Sequence, residues 1–99
     1  MEFYQDLWNK TRENLANRLA QQTFETAFGD VKKVVKVENQ IIYVLTPSTY
    51  VRTLINNIYT KTISEILEGL TSQKLKFKFV EENEIEKKKK KPVVKLNKN

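Results

Sequence analysis

The sequence contains no cysteine and no histidine, and its only glycines among 99 residues are Gly29 and Gly69. Without Cys or His, side chains cannot assemble a zinc site, a thiol nucleophile or a Ser-His-Asp triad. Two isolated glycines provide neither a GxxxxGK[ST] phosphate loop nor a GxGxxG turn. Asp6 and Asp30 are the only aspartates, too few for an EF-hand calcium loop. We therefore predict no catalytic residues, no metal ligands and no cofactor.

Length and charge divide the chain into one small domain, residues 1–80, and a disordered lysine-rich linker, residues 81–99. A domain of about 80 residues buries only about 60% of its unfolded surface, so it cannot enclose a large pocket. The net charge is +6, and half of it belongs to residues 81–99, which include the run Lys87 to Lys91. The folded part is therefore only mildly basic.

The start of the chain, Met1-Glu2-Phe3, has neither the basic nor the apolar region of a secretory signal. The longest apolar run, Ile41 to Leu45, is far shorter than a membrane span. We expect a cytoplasmic protein that does not enter a membrane.

Apolar residues at helical spacing predict helices over residues 4–20, 23–28 and 49–67. Ser48 is a candidate N-cap for the third helix. Gly29 and Gly69 are placed where a glycine of positive φ commonly ends a helix. The predicted apolar stripe of the first helix contains Tyr4, Leu7, Trp8, Thr11, Leu15 and Leu19. The predicted apolar stripe of the third helix contains Tyr50, Val51, Leu54, Ile55 and Ile58. It continues through Ile63, Ile66 and Leu67, where its position drifts around the helix axis.

Three β-rich segments predict a small sheet. Residues 31–37 and 40–45 flank Glu38 and Asn39, a pattern typical of a hairpin. Residues 74–80 alternate lysines with Leu75, Phe77 and Phe79, which predicts an edge strand with its lysines in solvent. The fold class is α+β: two layers, a three-stranded sheet with helices on one face, in the order α-α-β-β-α-β.

Several residues in order carry a family resemblance. Asp6-Leu7-Trp8 begins the first helix, and Thr23-Phe24-Glu25-Thr26 begins the second. This order is similar to the LW…(S/T)FETW run that begins the DnaA N-terminal domain family, and the strand at residues 75–80 resembles the end of that domain. Residues 47–63 are similar to that family's P-x-x-F…WL…Y…I pattern, and the resemblance covers about residues 6–80. The sequence departs from it at Ala27 and Leu54, where the family has tryptophan, and at Ala20-Gln21, where it often has Ser-Pro.

The resemblance implies a K-homology-like fold and a non-catalytic domain of a DNA replication initiator. Such a domain supports self-assembly of the initiator at the origin. It also recruits the replicative helicase or its loader and receives regulatory proteins. At most, it would bind single-stranded DNA weakly.

The resemblance also assigns a weak self-association patch to Leu7, Trp8 and Thr11 on the first helix. The periodicity leaves an alternative open, because Trp8 lies inside the apolar stripe and could be a core residue. An indole suits either role, since it offers a large area and one N–H donor.

A second partner surface is implied at Thr23, Thr26, Ala27 and Tyr50. The alternative for Tyr50 is that its ring packs in the core and only its hydroxyl is exposed. Phe24 and Phe28, at helical spacing in the same segment, are expected in the core.

The alternative function is a small K-homology-like domain that binds single-stranded nucleic acid. Lysines 74, 76 and 78, with lysines 32, 33 and 36, could contact phosphates. We expect no exposed aromatic ring among them on which a base could stack, so a solvated edge is the preferred interpretation. The missing GXXG loop also favours protein recruitment, and the run Lys87 to Lys91 is interpreted as solvation.

Overall fold

The computed structural model describes residues 2–84 of the chain. Counting residues 49–70 as one long helix, the order is α-α-β-β-α-β, as predicted. The structure is α+β with one three-stranded sheet. The elements are α1 (Glu2–Arg18), α2 (Gln21–Phe28), β1 (Val34–Glu38), β2 (Ile41–Thr46), α3 (Thr49–Leu54), a π-helical segment (Ile55–Tyr59), α4 (Thr60–Leu70) and β3 (Lys76–Glu81).

The sheet has β2 at its centre. β1 pairs with β2 antiparallel through a two-residue turn, Asn39-Gln40, in which both residues have positive φ, 53° and 67°. Such a turn matches the twist of the two strands. β3 returns parallel to β2 after the long helix, with Tyr43 opposite Lys78 and Val44 opposite Phe79. The predicted hairpin and the lysine-bearing edge strand are confirmed.

The helices cover one face of this sheet, and Trp8 lies at the centre of the interface. Its ring centroid lies 5.0 Å from that of Phe77, 5.6 Å from that of Phe79 and 6.3 Å from that of Phe28. The contacts with Phe77 and Phe79 are edge to face, a geometry that adds to the stability from buried area. Residues of β2 alternate, so that Ile42, Val44 and Thr46 are buried on this core face.

The long helix contains a π turn that its sequence did not predict. Ser48 caps it as expected, accepting a hydrogen bond from the Val51 N–H at 3.2 Å. A π segment takes more residues per turn than an α-helix, so it turns the later residues back toward the core. Ile63, Ile66 and Leu67 are therefore buried despite the drift of the stripe. The prediction that Tyr50 and Ile58 belong to the buried stripe is wrong: they are 66% and 58% exposed.

The two glycines do not end helices by positive φ. Gly29 follows α2 with φ −54°, and a Cβ there would lie 2.4 Å from the Glu25 carbonyl oxygen. The position needs glycine because of this close approach. Gly69 lies inside α4, which continues to Leu70, and no atom outside its immediate neighbourhood comes within 4 Å of where its Cβ would be.

The predicted boundary after Val80 is too early. Glu81 belongs to β3, and residues 82–84 form a helical turn. Glu81 and Glu84 both pair with Arg52, at 3.3 and 2.7 Å, which ties this turn to α3. The rest of the predicted linker, residues 85–99, lies outside the described residues. No helix between residues 2 and 84 is long and apolar enough to cross a membrane.

Candidate functional site

The predicted self-association patch lies inside the fold. Trp8 and Thr11 are fully buried and Leu7 is 5% exposed. The Trp8 Nε1–H donates to the Val31 carbonyl at 2.8 Å, and the Thr11 hydroxyl donates to the Leu7 carbonyl at 2.8 Å. The interpretation of Trp8 as an accessible contact residue is therefore corrected, because its ring fills the space between α1, α2 and β3. The alternative, a core tryptophan, is the one observed.

The second predicted surface begins on α2, which Arg12 of α1 holds in place. The Arg12 guanidinium donates to the Phe28 carbonyl at 2.9 Å and lies 5.2 Å from the centre of the Phe24 ring. A cation at the C-terminus of a helix is favourable, because the last carbonyls carry partial negative charge. Burial lowers the pKa of Arg12, and the nearby Asp30 opposes this shift. The guanidinium stays charged, since its ordinary pKa is far above neutral.

α2 turns one face to solvent and the other to the core. Thr23 and Thr26 are exposed, as a partner surface requires. Ala27 is only 1% exposed and packs in the core with Phe28. The prediction that Ala27 belongs to the partner surface is therefore wrong. α2 presents its threonine side chains to solvent and packs Ala27 against the rest of the domain.

Tyr50 lies at the start of α3, the element against which α2 packs. Its side chain is exposed, whereas Val51 and Leu54 on the same helix pack against the core. The alternative in which the Tyr50 ring is buried is therefore wrong. Thr23, Thr26 and Tyr50 are three exposed side chains on two packed helices, and we call them the α2–α3 surface.

The face of the sheet opposite the helices carries an aromatic ring that sequence reasoning missed. Tyr43 lies between Lys36 of β1 and Lys78 of β3, whose ammonium groups are 5.1 and 5.8 Å from the ring centroid. Lys36 also pairs with Glu38 at 3.0 Å. The ring is half-buried, so the expectation of no exposed aromatic among these lysines is not overturned. The alternation of side chains along β2 is enough to place Tyr43 on this face. Which lysines lie beside it depends on the register of the three strands, which the sequence does not show.

Neither surface resembles a metal site. Among residues 2–84, acidic side chains form no group of three or more that could hold a metal ion. The exposed atoms of the α2–α3 surface are hydroxyls, methyl groups and a phenol ring, which suit contact with another protein.

A family model of the DnaA N-terminal domain matches residues 5–69, more than half of the chain. The match contains most of α1, all of α2 and the hairpin, and nearly all of the long helix. It therefore includes every residue of the α2–α3 surface. The chain belongs to the DnaA N-terminal domain family, a family of non-catalytic interaction domains that serve in the initiation of DNA replication.

Proposed function

We propose that this domain recruits proteins of replication initiation through its α2–α3 surface. The partners are the replicative helicase or its loader and the regulatory proteins of initiation, and the setting is the cytoplasm. One observation carries the proposal: Tyr50, a large aromatic side chain on a helix that packs against α2, is 66% exposed. Tyrosine is enriched among the residues that dominate binding energy at protein interfaces.

The geometry of Tyr50 suits an interface. Its helix is held by the Ser48 cap and by the two ion pairs of Arg52, so the backbone that carries the ring is fixed before binding. Preorganisation reduces the entropy lost when a partner binds. Thr23 and Thr26 are short, exposed side chains on α2, which packs against α3.

Self-assembly of the initiator through α1 also stays a prediction. In this conformation Leu7, Trp8 and Thr11 cannot contact a second copy, because all three side chains are buried. Weak association would have to use exposed residues of α1, such as Phe3, which is 47% exposed.

The experiment measures binding of the full chain to the purified replicative helicase of the same organism, by calorimetry or surface plasmon resonance. We expect Tyr50→Ala to weaken binding at least tenfold, corresponding to about 1.4 kcal/mol or more. Its fold stability should change by no more than about 0.5 kcal/mol, since the side chain is largely exposed.

Ile58→Ala is the matched control, because Ile58 is also apolar and exposed on the long helix but lies outside the α2–α3 surface. It should bind the helicase as the unchanged protein does. If Tyr50→Ala and Ile58→Ala lost the same affinity for the helicase, the binding site would not be the α2–α3 surface. Absence of helicase binding by the unchanged chain would reject helicase recruitment.

A further inference from the structure

The two free edges of the sheet are protected to different degrees. On the β1 edge, the Gln5 side chain bonds to the Val34 N–H, and the strand register shifts between Val34 and Lys36. Such features blunt an edge against pairing with other chains. β3 pairs with β2 in continuous register over all six of its residues, and no proline interrupts it. The edge of β3 is therefore the more regular of the two.

Alternate residues of β3 direct their backbone groups away from β2. The Lys76 N–H donates to a carbonyl at the start of β2, whereas the Glu81 N–H donates to the Glu84 carboxylate on the other side. Because the backbone groups of a strand alternate between its two sides, Phe77 and Phe79 direct their N–H and C=O groups to the open edge. Among residues 2–84, no hydrogen bond forms to these four groups.

Two lysines determine which strands this edge accepts. Lys76 and Lys78 are exposed, and the contact of Lys78 with the Tyr43 ring places both on the sheet face away from the helices. Between residues 2 and 84, neither lysine has a carboxylate at ion-pair distance. Opposite charges on adjacent strands are favourable, and like charges are unfavourable. The lysines therefore disfavour basic strands and favour acidic ones.

The helix side of the same edge offers an apolar contact. Leu75 and Phe77 pack against the core but are only half-buried, so part of each side chain remains accessible. An apolar side chain of an added strand would cover this part of Phe77, since neighbours on one face of a sheet touch. The strand that fits thus has acidic residues on one face and apolar residues on the other.

Charge distinguishes this occupant from two others. The chain's own residues 85–99 contain seven lysines and one glutamate, so they would bring like charge to the lysines of β3. A second copy of β3 in antiparallel pairing would add two more lysines to the same face. An acidic segment of another protein meets neither obstacle.

We propose that the open edge of β3 binds an extended acidic segment of a partner protein, which adds to the sheet as a fourth strand. Phe77 and Phe79 supply the backbone hydrogen bonds, while Lys76 and Lys78 select acidic residues at alternate positions. Strand addition takes its affinity from main-chain hydrogen bonds and its specificity from alternate side chains. The site shares no residue with the α2–α3 surface, so it does not rest on the recruitment proposed there.

The first test is amide hydrogen exchange of the full chain by NMR, with and without a synthetic peptide in which glutamates alternate with valines. Without peptide, Phe77 and Phe79 should exchange faster than Lys78, whose N–H faces β2. At saturating peptide, exchange at Phe77 and Phe79 should slow by about tenfold or more, and exchange at Lys78 should change less. Unchanged exchange at Phe77 and Phe79 would overturn the proposal.

The chain without peptide tests the two other occupants. Protection of Phe77 and Phe79 that rises with protein concentration would assign the edge to a second copy. Protection that is already present at every concentration would mean that the chain's own residues cover the edge. Either result would overturn the proposal, which requires both amides to be unprotected until the peptide binds.

Methylated peptides separate strand pairing from attraction between charges. One set of alternate peptide N–H groups would face β3, and the other set would face away. Methylation of the nitrogens at the valines alone, or at the glutamates alone, removes one set and keeps every charge. Fluorescence anisotropy should show one methylated peptide binding about tenfold or more weakly than the other. Equal affinity of the two would contradict pairing along the edge.

A charge reversal tests the selection by lysine. Lys76→Glu combined with Lys78→Glu should weaken binding of the glutamate peptide about tenfold or more and favour a peptide in which lysines alternate with valines. Lys10→Glu combined with Lys61→Glu is the matched control, because both lysines are exposed on helices and the net charge changes equally. The control should bind the glutamate peptide as the unchanged chain does. Equal losses in the two double variants would show general charge attraction and would overturn the site.

Discussion

The side chain of Gln5 on α1 forms two hydrogen bonds with the free edge of β1. Its Oε1 accepts from the Val34 N–H at 2.9 Å, and its Nε2 donates to the Lys32 carbonyl at 2.8 Å. The amide thus satisfies one donor and one acceptor that an adjacent strand would otherwise pair. Free edges invite pairing with other chains. Gln5 therefore joins helix to sheet and also covers part of an open edge.

Gln5→Ala should lower the free energy of unfolding by about 1–2 kcal/mol, because it removes the two hydrogen bonds to the chain at the β1 edge, at about 0.5–1.5 kcal/mol each, and an exposed one to Asn9 that adds little. Asn17→Ala, an exposed change on the same helix, should stay within about 0.5 kcal/mol of the unchanged protein. Urea denaturation followed by circular dichroism measures both. A Gln5→Ala variant as stable as Asn17→Ala would show that water replaces these bonds without cost.

Much of the fold follows from local pattern, and the misses have specific physical causes. Alternation in β3 and the Ser48 cap are local, and both were predicted correctly. The π segment was missed because a stripe drawn at α-helical spacing cannot reveal a turn with an extra residue. That one turn explains why Ile58 is exposed. Tyr43 was missed because its lysine neighbours come from strands far apart in sequence, and register is a tertiary property.

The candidate site shows a different limit. A helical projection placed Trp8 within the apolar stripe but could not say whether that stripe is covered by other elements. β3, some 70 residues later, supplies Phe77 and Phe79, which cover the indole. Exposure of Tyr50 likewise depends on where α2 packs. Local periodicity predicts which residues share a face, whereas tertiary packing decides which face is covered.

Trp8→Ala should cost about 3–5 kcal/mol, the range for removing a large buried aromatic side chain. This is a large part of the 5–15 kcal/mol that holds a typical domain together. Trp8→Phe should cost less, although it leaves the Val31 carbonyl without its indole donor. Chemical denaturation measures the free energy of unfolding of both variants and of the unchanged protein. A Trp8→Ala protein within about 0.5 kcal/mol of the unchanged one would contradict the buried position and restore Trp8 as a contact residue.

The two glycines should respond to alanine with opposite sign. Gly69→Ala should raise the free energy of unfolding by about 0.4–1 kcal/mol, because the site is helical and has space for a methyl group. Gly29→Ala should lower it by about 1–3 kcal/mol, since the new Cβ meets the Glu25 carbonyl oxygen. Thermal unfolding of both variants measures the difference. A stabilising Gly29→Ala would mean that the turn after α2 relaxes easily.

The attachment of residues 82–84 should depend on pH through Glu84. The Glu81 backbone N–H donates to its carboxylate at 2.9 Å and lowers the pKa of Glu84; Arg52 and Lys78 lower it further, and partial burial opposes them. The pKa is thus lower in the folded state than in the unfolded chain, where a glutamate titrates near about 4.3. The carboxylate contributes stability above that value, and the contribution is lost as pH falls through the folded pKa.

An NMR titration of the Glu84 side-chain carboxyl carbon tests this directly. We expect a midpoint below the ordinary glutamate range. Arg52→Gln should raise that midpoint only part of the way, because the Glu81 N–H, the largest cause of the shift, remains. The amide proton of Glu81 should report the same midpoint, since it loses a charged acceptor when Glu84 is protonated. A Glu84 midpoint within the ordinary glutamate range would mean that residues 82–84 are not held against α3 in solution.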